Sequence, residues 1–136
     1  MAVAFAVASL AGCSSTRRTA KSPPTPEEKA YLQDLQFATG RVEAARNFLG
    51  HTVTTFQSQV TNKGKKTVLY IEINLTFYDI DGKTVEQKKA YPVGGATPPL
   101  NPGETRPFQV SFDQVPDLWN QAPPKITPVR VVLAGE

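Results

Sequence analysis

The stretch "VLYIEINLTFYD", residues 68 to 79, alternates apolar and polar side chains along its length. Successive side chains of an extended strand point to opposite sides. Leu69, Ile71, Ile73, Leu75 and Phe77 therefore fall on one face, and Tyr70, Glu72, Asn74 and Thr76 on the other. Five large apolar side chains on one side make a core face, so the segment reads as a half-buried β-strand.

The same period continues on either side. Upstream, "HTVTTFQSQVTN" (51 to 62) sets Phe56, Ser58 and Val60 against Gln57 and Gln59, and "KGKK" (63 to 66) is a polar tip. The expectation is an antiparallel hairpin between these residues and 68 to 79. Downstream, "RPFQVSF" (106 to 112) puts Phe108, Val110 and Phe112 on one face, and "ITPVRVVLA" (126 to 134) supplies a last strand with Val129, Val131 and Leu133. Around residues 33 to 46 the alternation of Val42, Ala44 and Arg46 favours a strand over a short helix stopped by Gly50. Six or seven short strands in residues 29 to 136, with no helix long enough for a crossover, predict an all-β antiparallel sandwich of immunoglobulin-like kind.

The turn in "YDIDGK" (78 to 83) can be tested on register. A two-residue Asp-Gly turn would set Phe77 opposite Glu86, a charge on the core face. A three-residue loop of Ile80, Asp81 and Gly82, closed between Asp79 and Lys83, sets Phe77 opposite Val85 and Ile71 opposite Tyr91. It also leaves Gly82 left-handed in a bulge. The second register is the expected one because it keeps the core apolar.

Three segments carry a family resemblance. "TNKG" (61 to 64), "LTFYDIDGKTV" (75 to 85) and "PLNPGE" (99 to 104), in this order and spacing, resemble the FxLYD-type domains of uncharacterised bacterial envelope proteins. The family's F-x-L-Y-D stands here as L-T-F-Y-D, with Leu75 and Phe77 exchanged. The resemblance covers roughly residues 50 to 115 and implies a β-sandwich in a secreted or lipid-anchored protein; it brings no activity and no site residues.

The N-terminal region has a different composition. "AVAFAVASLAG" (2 to 12) is an uncharged run of eleven residues. A spanning helix needs about 20 and a secretory h-region about 7 to 15, so the run reads as a signal peptide over residues 1 to 12. Leu10, Ala11, Gly12 and Cys13 then spell L-A-G-C, which resembles the lipobox of bacterial lipoproteins. That resemblance implies cleavage before Cys13, lipidation of its thiol, and a membrane anchor of two or more acyl chains, since one chain binds only marginally. Signal peptides carry Lys or Arg before the apolar run, and here only Met1 precedes it, so the expectation is a start further upstream or a weak signal. Residues 13 to 28 are polar and Pro-rich and read as a lipidated cysteine followed by a semi-rigid tether. By analogy with lipoprotein sorting in Gram-negative bacteria, Ser14 after the cysteine favours the outer membrane.

Beyond Cys13 the chain has no cysteine, so its core must hold without disulfides although an exported protein meets an oxidising compartment. Arg17, Arg18 and Lys21 account for the whole net charge of +3. The folded part is then neutral, which argues against a nucleic-acid partner. Next to an anchor, these three cations can add about 1 kcal/mol each against anionic headgroups.

Candidate chemistry is sparse. His51 is the only histidine, and no G-x-S-x-G elbow accompanies it. Asp79, Asp81 and Gly82 resemble part of a calcium loop, but an EF-hand frame would put Phe77 and Lys88 at ligand positions. Glu72, Asp113 and Asp117 form no pattern of paired carboxylates. No cofactor or metal motif is present, and no enzyme is expected. Tyr70 and Tyr78 lie on the outward face of residues 68 to 79, and Trp119 lies in the Pro-rich "VPDLWNQAPP" (115 to 124), where it reads as a plug for one end of the sandwich. These three aromatics are the candidate binding face. The expectation is a lipid-anchored periplasmic sandwich that serves an unidentified envelope protein as an interaction or structural module. The alternative is a lipoprotein that binds a small ligand, glycan or metal.

Overall fold

A computed structural model describes residues 22–46, 48–112 and 115–134; the signal peptide, the lipobox and Cys13 lie outside these. The chain forms a short helix α1 (Pro26–Tyr31), a 3-10 turn (Leu32–Asp34) and seven strands: β1 (Leu35–Phe37), β2 (Arg41–Arg46), β3 (Thr52–Asn62), β4 (Val68–Tyr78), β5 (Thr84–Val93), β6 (Thr105–Phe112) and β7 (Lys125–Leu133). All pairings are antiparallel. β3 is flanked by β6 on one side and by β1 and β2 end to end on the other, while the second sheet runs β5-β4-β7. The molecule is an all-β sandwich, as the strand periodicity predicts.

One pairing differs from expectation. β3 and β4 do not form a hairpin but belong to opposite sheets, because both edges of each strand are taken by other partners. "KGKK" is thus a crossing between layers. The two strands meet through their apolar faces, with Phe56 and Val60 on one side of the core and Ile71, Ile73, Leu75 and Phe77 on the other, all buried. Phe112 and Trp119 stack edge-on against Phe77, at 5.4 and 5.5 Å between ring centroids.

The crossing is organised by Asn62, which is 0% exposed. Its amide donates to the carbonyls of Lys66 (2.7 Å) and Leu100 (3.2 Å), and its side-chain oxygen accepts from Tyr31 Oη (2.6 Å) and from the Gly64 amide (3.1 Å). Its backbone closes the 99 to 104 turn, with Asn62 N donating to the Glu104 carbonyl (3.0 Å) and Gly103 N donating to the Asn62 carbonyl (2.7 Å). The Tyr31 ring lies so close over Gly64 that a Cβ there would come within 2.2 Å of it.

The hairpin after β4 has the expected loop and a different register. Asp79 N donates to the Lys83 carbonyl (2.9 Å), Asp79 Oδ1 accepts from the amides of Asp81 and Lys83, and Gly82 is left-handed at φ +81°. A bulge directly beyond Tyr78 and Thr84 brings Phe77 opposite Glu86, and a second register shift between Ile73 and Ile71 brings Ile71 opposite Val93 instead of Tyr91. The charge is tolerated because the position lies at the rim. Glu86 and Lys88 are half-buried, pair at 3.6 Å, and Lys88 Nζ sits 5.2 Å from the centroid of the Phe112 ring, so their stems cover apolar surface while their heads reach solvent. In exchange Val93 enters the core.

Two further bulges relocate residues. Between β4 and β7 the register shifts at Val68/Tyr70 and at Glu72/Ile73. Val68 takes the core position expected of Leu69, which is half-buried, and Val129 is turned outward at 41% exposure. Helix α1 packs on β7, which closes over the buried run Val131, Val132 and Leu133. The helix carries a capping box, with Glu28 N on Thr25 Oγ1 and Thr25 N on Glu28 Oε1, and its Pro26 stands at the first helical position. Glu28, at the boundary drawn between tether and domain, is buried and accepts from the Leu133 amide at 2.9 Å.

Two stability outcomes follow, both read by urea unfolding. Ile73→Ala should cost about 2 to 5 kcal/mol, whereas Val129→Ala, a smaller truncation at an outward-turned position, should cost less than about 1 kcal/mol. Asn62→Leu should cost about 3 kcal/mol or more, since several buried partners lose their hydrogen bonds together; a loss below about 1 kcal/mol would refute the role given to Asn62.

Candidate functional site

The outward face of β4 does not bring the three sequence-predicted aromatics together. Tyr70 and Tyr78 are eight residues apart on one strand, roughly 26 Å at the rise of an extended chain. Trp119 lies at the Tyr78 end, but it packs on Phe77, which belongs to the core face. Its indole Nε1 donates to the Ala122 carbonyl (3.0 Å), and the neighbouring Asn120 amide donates to the Tyr78 carbonyl (2.9 Å). The Trp119 loop is pinned to the end of β4, and the ring plugs the sandwich there. Tyr78 is half-buried beside it.

Tyr70 is the centre of a different group. The bulged register of β5 turns Tyr91 outward, 56% exposed, with its ring centroid 5.9 Å from that of Tyr70. Tyr70 Oη donates to Glu72 Oε1 (3.1 Å), two residues along the same face. Arg130 lies directly opposite Glu72 on β7 and holds the Ser22 carbonyl through its guanidinium. Burial, the hydrogen bond to Glu72 and the Glu72 charge together push the Tyr70 hydroxyl up to about 12, with Tyr91 adding and Arg130 opposing. The hydroxyl therefore stays a neutral donor across the physiological range. Two rings with a carboxylate and a guanidinium beside them can stack on a flat partner group and orient it by hydrogen bonds.

Two grooves mark the other sheet. One, of about 690 Å³, lies at the break between β1 and β2 and is lined by Arg41, Gln57, Gln59, Gln109 and Phe108 among others. The second, of about 520 Å³, runs between edge strand β2 and the Trp119 loop, along Val42, Ala44, Thr54, Leu118 and Trp119. His51 is solvent-exposed at the entry to β3, and the two contacts described for the Asp79 carboxylate are backbone amides of its own turn. Among the described residues, no three of His, Cys, Asp and Glu come together as a group able to hold a metal.

No family model and no curated protein sequence matches this chain. Among solved structures, a Bordetella pertussis protein given the name ApaA aligns at 17% identity and a TM-score of 0.41, covering 74% of this chain and 92% of that one.

Sequence reasoning found Tyr70 but missed Tyr91, Glu72 and Arg130 as its companions. Tyr91 was assigned to the core face by the unbulged register, and no signal in the local sequence announces the bulge. Arg130 was visible only as one residue of an alternating strand.

The raised Tyr70 hydroxyl has a measurable consequence. Its protonated form is favoured by folding, so this stabilisation is fully present below about pH 10 and lost as pH rises through about 12. Titration of tyrosinate absorbance should show a late component that is lost in Tyr70→Phe. Glu72→Gln should move it back toward the ordinary range; a late titration unmoved by Glu72→Gln would refute the assigned pairing.

Proposed function

We propose that this protein is a bacterial lipoprotein, anchored through Cys13 and holding its β-sandwich in the periplasm as an interaction or structural module of the envelope. The observation that carries the reading is L-A-G-C at residues 10 to 13 directly behind an uncharged run of eleven residues. The polar, Pro-rich segment that follows supports it, since it spaces a folded domain from a membrane. So does the fold, because a sandwich with two aromatic and charged outer features offers surfaces for a partner chain. Among the described residues no helix is long and apolar enough to cross a membrane. Attachment is assigned to the acyl chains at Cys13, and Ser14 favours the outer membrane.

A second reading is favoured by one feature, the exposed Tyr91 ring beside Tyr70 with Glu72 and Arg130 at hand. Such a platform suits a sugar ring, which would make the protein a glycan-binding lipoprotein. Loss of glycan retention in Tyr91→Ala, with unfolding unchanged, would favour this reading over the first.

The anchor is tested by changing its one thiol. Cys13→Ala should abolish incorporation of labelled fatty acid and either release the protein from membranes or leave it unprocessed. A variant that still fractionates with membranes after cleavage elsewhere would overturn the lipoprotein reading.

A further inference from the structure

Among the described residues, five of the seven exposed large apolar side chains are gathered at one end, Tyr91 and Val129 lying instead within β5 and β7. The strand registers put the β2-β3 loop, the β4-β5 turn and the β6-β7 connection together there, since Arg46 faces Thr52, Tyr78 faces Thr84, Thr54 faces Phe112 and Thr76 faces Lys125. Each of these three connections carries exposed apolar side chains: Phe48 (96%) and Leu49 on the first, Ile80 (88%) on the second, Leu118 (80%) and Val115 on the third. Connections normally carry polar residues at such tips. Leu118 is moreover held at φ +66°, a left-handed conformation that strains a residue with a side chain, and the pinned Trp119 next to it helps to hold that conformation.

We propose that this end is a membrane-contact surface, whose apolar tips enter the interfacial layer of the bilayer to which the protein is anchored. The proposal deepens the lipoprotein reading and rests on it for the position of the membrane. Two contacts orient the N-terminal segment. Glu28 is held at Leu133, and Ser22 is held further down β7 at Arg130, so residues 28 to 22, followed toward the N-terminus, run along β7 in the direction of Lys125 and the loop end. Nine Cα-to-Cα steps lead from Ser22 to Cys13, a reach of about 30 Å. From mid-strand, the remaining length of β7 is about 17 Å. An anchor at Cys13 thus reaches the plane of the tips.

The chemistry of the end suits an interface. The tips are isolated side chains on separate loops, which fits insertion to a depth of about 5 to 10 Å better than docking on a rigid protein face. The turn behind Ile80 satisfies its own backbone, since Asp79 accepts from Asp81 N and Lys83 N and Gly82 N donates to the Asp79 carbonyl. Arg46, His51, Lys83 and Lys125 surround the tips, against Asp79, Asp81 and Asp117, so the rim is charged but close to balanced. Binding should then depend on apolar insertion more than on anionic lipid.

Trp119 is the only tryptophan and adjoins Leu118, so it reports insertion directly. The lipidated protein is reconstituted into phosphatidylcholine vesicles with and without bromine on the acyl chains. Trp119 fluorescence should be quenched by the brominated lipid, and a Phe48→Ser, Leu118→Ser double variant should lose that quenching while remaining on the vesicles through its anchor. Its thermal midpoint should match the parent, because both side chains lie outside the core. An anchored parent whose Trp119 is unquenched overturns the proposal while leaving the lipoprotein reading standing. Failure of the fatty-acid label at Cys13 overturns the lipoprotein reading instead. Self-association in sedimentation that the double variant abolishes would assign the end to a second copy of this chain and also overturn the proposal.

Discussion

A buried side-chain amide governs how the two layers of this sandwich are joined. Asn62 ends β3, and its four described side-chain hydrogen bonds reach the layer crossing, the 99 to 104 loop and the helical segment before β1. An unpaired amide at this depth would cost several kcal/mol, so the position is stable only when all three neighbours are in place. The consequence is cooperative assembly. Leu100 pairs with Val68 at the start of β4, Tyr31 Oη both donates to Asn62 and accepts from the Lys66 amide, and the turn closed by Glu104 hangs on the Asn62 backbone. Within that turn Glu104 accepts from the Asn101 amide and from Arg106, which hold its carboxyl below the usual range.

This arrangement gives a physical reason for the motif residues. "TNKG" and "PLNPGE" lie 34 residues or more apart in the sequence and meet at Asn62. Gly64 gives the Tyr31 ring room, and Gly103 at φ +78° brings its amide to the Asn62 carbonyl. The helical residues that complete the site were not legible in the sequence. Tyr31 stands in a segment with no period, and Glu28 was grouped with the tether because a charged residue after a Pro-rich run carries no mark of burial.

What was legible is the alternation itself. Ile71, Ile73, Leu75, Phe77, Phe56, Val60, Val131 and Leu133 are buried as their spacing predicts. Phe108, Val110 and Phe112 share the inward face of β6 in the same way, and residues 41 to 46 are a strand. The failures of facing begin with one cause. A single added residue flips the facing of everything beyond it, and the register shifts near Thr84, Tyr91, Val129 and Leu69 are set by how strands of different layers must coil to meet, which a linear pattern does not carry. The choice of register at the hairpin failed for a second reason. It treated a charge opposite Phe77 as a buried charge, whereas at a sheet rim the long stems of Glu86 and Lys88 count as apolar cover. At the candidate face the register shift brings Tyr91 to Tyr70, while Tyr78 lies too far along the same strand to join them and Trp119 packs beside it on Phe77.

Residues 22 to 31 are fastened to the domain at two points of β7. Glu28 uses its carboxylate twice, one oxygen closing the capping box with Thr25 and the other accepting from Leu133 on the last strand. The first helical turn among the described residues is thereby fastened to the C-terminal end of β7, and Arg130 repeats the fastening six residues upstream, at Ser22. On the lipoprotein reading proposed above, force on the N-terminal segment would enter β7 at these two points. β7 lies beside β4, whose side chains supply the deepest part of the core. Load is then shared across the sheet hydrogen bonds of β7 with β4, which resist together, and the short helix α1 is spared from carrying it alone. A tether fixed only through α1, six residues long, would fray at its first turn, since isolated helices of that length are unstable in water.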